Sequence, residues 1–113
     1  MIEEGTLVSL EEFKNNQQLK EKVKEGIRGL VSILFKEISS IITFISKEDA
    51  IFQLMKLGVI SPILSQELLD ILSIVDNLDN EDDEVIYGML VRIMEDIEET
   101  INNIEKYKVK NVS

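Results

Sequence analysis

The sequence predicts an all-α protein, a bundle of four or five helices in which consecutive helices run antiparallel over short loops. Three observations carry this. Apolar residues recur at steps of three and four through every long segment, the period of a helix face. Serines stand where those segments begin, at Ser9, Ser46 and Ser61, as N-caps do. One Pro and five Gly in 113 residues argue against a β-sandwich, which needs many turns. The length is that of one domain. Residues 1–113 are therefore read as a single unit, with a loose arm at 1–8 and a frayed tail at 108–113.

Ser9-Leu-Glu-Glu12 reads as a capping box, with Ser9 as N-cap and Glu12 at N3. The helix it opens carries Leu10, Phe13, Leu19 and Val23, and the weak helix formers Asn15, Asn16, Gln17 and Gln18 at its middle allow a break. From Leu19 the apolar positions run through Val23, Ile27, Leu30, Leu34, Ile38, Ile41 and Ile45, which predicts one helix to about residue 45. Its polar stripe is narrow, so it is read as the central helix of the bundle or part of a subunit interface. Ser46 then caps a short helix to Leu57, followed by Gly58 as the C′ glycine. Ser61-Pro62 is the clearest signal, a capping serine with proline at N1, where a missing N–H costs nothing. That helix carries Leu64, Leu68, Ile71, Leu72 and Val75. An acidic turn at 79–84 leads into a last helix from about Asp82 to Tyr107, with Leu90, Ile93, Ile97, Thr100 and Ile104 as its seam.

Composition excludes several kinds of chemistry. The chain has no His, Cys or Trp, so a Cys/His zinc site, a thiol nucleophile, imidazole acid–base catalysis and disulfides are all closed to it. An apolar fraction of 44% beside 30% charged residues fits a folded domain and not a disordered tail. The most apolar stretch, 27–46, carries Arg28, Lys36 and Glu37, which are expensive in lipid. No basic, then apolar, leader opens the chain. A cytoplasmic protein without membrane contact is the expectation.

The net charge is −10, and it is unevenly spread. Residues 57–113 hold 13 of the 22 acids but only 4 of the 12 bases. Such a surface repels a phosphate backbone, so direct nucleic-acid binding is not expected. The cations Lys14, Lys20, Lys22, Lys24 and Arg28 are interleaved with Glu21 and Glu25, and read as a solvated face balanced by its neighbours. The carboxylates Asp79, Glu81, Asp82, Asp83 and Glu84 form one acidic face, joined by Glu95 and Glu99 on the last helix. Neither register through 76–84 places Gly and Glu where an EF-hand loop needs them. Glu95, Asp96, Glu98 and Glu99 lack the Glu-x-x-His pattern of a di-metal bundle and read as an exposed face. No metal and no cofactor is expected. The five glycines form no phosphate loop.

Part of the chain resembles a known family. Leu54-Met-Lys-Leu-Gly-Val-Ile-Ser-Pro62, then Leu68-Leu-Asp-Ile-Leu72, Val75-Asp-Asn77, an acidic turn and a long helix resemble the C-terminal part of HEPN-type helical domains, over about residues 47–105. The resemblance implies a helical bundle, often dimeric. Active members are metal-independent ribonucleases that use an Arg-Asn pair and a following His across the dimer. Here Asp76 stands at the Arg position, Asn77 matches, and Glu81 or Asp82 stands at the His position. The resemblance therefore implies a non-catalytic member, and no catalytic residue is carried over.

These readings converge on a non-enzymatic helical module that works through oligomerisation and protein contacts. Ile33, Phe35 and Phe44 lie outside the stripe set by Ile27, Leu30, Leu34, Ile38 and Ile41. They are expected to meet a second copy in a homodimer, because left in water they would make a large apolar patch. A further protein partner is expected for the acidic face. The alternative is an acidic decoy whose carboxylates mimic phosphates and block a DNA- or RNA-binding protein.

Overall fold

Local hydrogen bonds place the helix boundaries, and the computed structural model, which describes residues 8–111, shows them one by one. Among these residues the elements are α1 (Leu10–Asn15), α2 (Gln17–Ser39), α3 (Lys47–Lys56), α4 (Pro62–Asp76), a 3-10 turn (Leu78–Asn80) and α5 (Asp83–Asn111), with no strand. The Ser9 hydroxyl accepts from the Glu12 N–H at 3.2 Å and donates to the Glu12 carboxylate at 3.3 Å. Asn16 ends α1 and caps α2 through its side chain, accepting from the Leu19 N–H at 3.0 Å, so the polar break falls there. Ser46 and Ser61 accept from the N–H of Asp49 and Leu64, both at 3.0 Å. Gly58 has φ +77° and closes α3: its N–H reaches the Met55 carbonyl and that of Val59 reaches Leu54. That double bond is the Schellman arrangement, which favours glycine because L side chains resist positive φ.

Two boundaries differ from the sequence expectation. The second helix stops at Ser39, not near residue 45. The Ser39 and Ser40 hydroxyls donate to the carbonyls of Lys36 and Glu37 at 2.7 and 2.6 Å, competing with the helix ladder just where a β-branched run begins. Asp49 and Gln53 then hold the segment open. The Ile45 N–H donates to Asp49 and the Gln53 amide donates to the Thr43 carbonyl. At the other end α5 continues to Asn111, so 108–111 is helix rather than frayed tail. Lys108 bonds Glu37 of α2 at 3.1 Å and the Asn111 amide donates to the Tyr107 carbonyl, which together extend the last turn. Of the arm expected at 1–8, only Val8 lies within the described residues. Its carbonyl accepts from the Tyr87 hydroxyl.

α3, α4 and α5 follow one another antiparallel, as short loops require. α2 and α5 are different: ion pairs Lys20–Asp83 near their starts and Glu37–Lys108 near their ends show that they run parallel. The α3–α4 hairpin is the crossover that makes this possible. α5 is the spine, packed by α1, α2 and α4. Its 29 residues span roughly 44 Å at about 1.5 Å per residue, which gives the molecule its 50 × 23 × 21 Å shape. Val23 and Ile27, Ile51 and Leu54, and Ile86, Ile93, Ile97 and Ile104 are fully buried between the helices, with Phe13 beneath the Tyr87 ring. Thr100 is also fully buried, and its hydroxyl is satisfied by the Asp96 carbonyl at 2.8 Å. No described helix is long and apolar enough to cross a membrane.

Candidate functional site

The two halves of the bundle meet through α5, and α2 contacts the α3–α4 hairpin only sparsely. What remains is a groove. It consists of two adjoining depressions of about 380 and 250 Å³ that share Arg28, Lys47 and Val75. Its apolar wall is Val31, Phe35 and Val75, and its polar wall is formed by residues 76–80 at the end of α4 and in the 3-10 turn. Arg28 stands between them, its guanidinium 3.1 Å from Asp79. The Lys47 ammonium lies 5.6 Å from the centre of the Phe35 ring, in cation–π range. The groove thus offers an apolar floor with two cations and the carboxylates of Asp76 and Asp79 at its rim.

The sequence expectation for Ile33, Phe35 and Phe44 divides here. Phe35 is 9% exposed and belongs to the core of its own chain, with its ring 6.0 Å from that of half-buried Phe44. Phe44 belongs to the 41–46 loop, which exists because α2 ends early, and brings that loop against Phe35. Ile33 is 53% exposed and stays on the outer flank of α2. Only Ile33 of the three keeps a free apolar surface. Val85 and Val91 on α5 are exposed as well, either side of Gly88.

The acidic face is also divided. Lys14 holds Glu84 at 2.9 Å, Lys20 holds Asp83 at 3.1 Å, and Lys24 and Arg28 hold Asp79 at 3.8 and 3.1 Å. Lys14, Lys20, Lys24 and Arg28 find their partners in the acidic turn more than fifty residues away, not in Glu21 and Glu25 beside them. Lys14 is held above its ordinary pKa chiefly by its hydrogen bond to Glu84. Asp82 starts α5, its carbonyl accepting from Val85 and Ile86, and Glu81 lies half-buried beside it. Glu95 and Glu99 point outward on α5, as expected from the seam opposite them. Asp96 does not. It is turned toward α4, beside Glu67 and Arg92. Among the described residues no cluster of three or more potential metal ligands occurs.

Little in the sequence pointed to the groove, because Arg28, Lys47 and residues 75–80 are joined by tertiary packing alone. For Asp96 a signal was present: it lies three residues after Ile93 and four before Thr100, on the flank of the buried seam. No protein-family model, curated protein or solved structure matches the chain.

Proposed function

We propose that this protein is a non-catalytic helical module that acts by self-association and by binding a protein partner. The observation that carries the reading is the apolar surface left outside a well-filled core: Ile33 beside Gly29 on α2, and Val85, Gly88 and Val91 along α5. Both glycines sit mid-helix, and a methyl group at either would meet nothing within 4 Å. A helical glycine with no internal reason costs about 1 kcal/mol against alanine. Close approach of another helix supplies a reason. The lack of any imidazole or thiol in the chain supports action without catalysis. On this reading the HEPN-like segment is that of a member without the catalytic pair, Asp76 and Asn77 serving to end α4 and to line the groove.

The acidic decoy is the second reading. Outward carboxylates Glu95, Glu98 and Glu99 favour it, while the pairing of Asp79, Asp83 and Glu84 with cations of the same chain weighs against it. Sedimentation equilibrium at micromolar concentration tests the first reading. The wild type is expected above its monomer mass of 12.9 kDa, and Ile33→Glu is expected to return it to monomer with unchanged helical circular dichroism. A wild type of monomer mass refutes self-association. Partner binding that falls steeply with salt would transfer the case to the decoy.

A further inference from the structure

Asp96 departs from the outward-facing acids around it on α5. Only 13% of its side-chain surface is exposed, and its Oδ2 is buried with no hydrogen-bond donor among the described residues. The nearest cation, the Arg92 Nε one turn back, is 3.8 Å away, beyond hydrogen-bond reach. The same guanidinium stands 3.5 Å from Glu67 on α4. Two carboxyls from two helices therefore share one positive charge. The charged groups that act on Asp96 are Glu67 from α4, and Arg92 and Glu99 from its own helix. Among the described residues, α1 and α2 pair with α5 only at its ends, through Lys14–Glu84, Lys20–Asp83 and Glu37–Lys108. Two ionised carboxylates set around one guanidinium repel, and a buried carboxylate oxygen without a donor is costly. One proton removes both difficulties, because a protonated carboxyl donates to its ionised neighbour.

We propose that Asp96 and Glu67 form a proton-operated clasp across the α4–α5 seam. With one proton between them the two carboxyls hydrogen-bond and fasten α4 to α5. When that proton leaves to solvent they repel, and Arg92 alone bridges them. Burial first, and the Glu67 carboxyl second, push Asp96 up to about 6 from its ordinary 3.8, which places the change near physiological pH.

Carbon-detected NMR of the labelled full chain tests this by following side-chain carboxyl shifts from about pH 3 to about pH 8. Asp96 is expected to show a transition near pH 6, above the range of about pH 4 where ordinary side-chain carboxyls change. Asp96 titrating together with the exposed acids overturns the clasp. Glu67→Gln removes the neighbouring charge and is expected to lower the Asp96 midpoint by about one unit. A midpoint that stays in place shows burial acting alone and overturns the shared proton. The wild-type titration decides the matter even if the variant fails to fold.

Discussion

Replacing Phe35 with Ala separates intramolecular burial from a role at a subunit interface. Phe35 is 9% exposed, its ring 6.0 Å from Phe44 and under the Lys47 ammonium. Truncating a buried Phe costs about 3–5 kcal/mol, through lost transfer energy and the cavity left behind. This ring borders the groove and a loop that can settle inward, so the low end applies, about 3 kcal/mol. For a domain of this size each kcal/mol moves Tm by about 4 °C, which gives a fall of about 12 °C. Domains of this kind hold about 5–15 kcal/mol of stability, so the variant still folds at room temperature. Ile33→Ala is the control. At 53% exposure it should change the melting of the isolated chain by less than about 1 kcal/mol, and act instead on association. Thermal melts by circular dichroism, with sedimentation velocity on the same samples, read both quantities. If Phe35→Ala melts like the wild type but sediments as a smaller species, Phe35 faces a partner and the burial argument fails.

Gly58→Ala forces a side chain into φ +77° and should destabilise by about 1 kcal/mol in urea melts; a neutral result would mean that the turn re-forms another way. Gly88→Ala should raise the stability of the monomer by up to about 1 kcal/mol, since its Cβ meets nothing within 4 Å, and should weaken self-association if that face docks a helix; stronger association would count against the proposed contact. The Asp96 carboxyl also sets a pH dependence. Its folded pKa, about 6, lies above the ordinary 3.8, so the folded state binds the extra proton and its contribution is complete below the lower value and lost as pH rises to the upper one. Between these two values wild-type stability should fall relative to Asp96→Asn, and parallel pH profiles for the two proteins would refute the assignment.

Much of the helix order could be read from the chain because its causes are local. Ser9, Ser46 and Ser61 each bond an N–H three residues on, and the Gly58 turn closes onto Leu54 and Met55. Such bonds depend on a few neighbouring residues, so spacing alone reveals them. The end of α2 cannot be read from apolar periodicity, which continues through Ile41, Ile42 and Ile45 after the helix has stopped. Ile41 and Ile42 still pack on the core, from a loop. A period of three and four identifies a buried face, but here the hydrogen bonds of Ser39, Ser40, Asp49 and Gln53 decide the backbone.

What the sequence determined by itself is the all-α class, the position of most helix starts and the seam of α5, since propensity, caps and periodicity act within a turn or two of each residue. Which charges meet, which apolar residues stay outside and where the groove lies follow from helix packing across the whole chain. The acidic turn and the cations of α1 and α2 are far apart in the chain, and they pair because the α3–α4 crossover returns α5 parallel to α2. Phe35 looked free on a helical wheel and is covered by a loop that a helix to residue 45 would not have made. Asp96 looked like one more exposed acid until α4 was laid against it. The charges and Asp96 meet partners from distant segments, and Phe35 meets the loop after its own helix; helical periodicity alone does not encode a contact whose other half is placed by the packing of the whole chain.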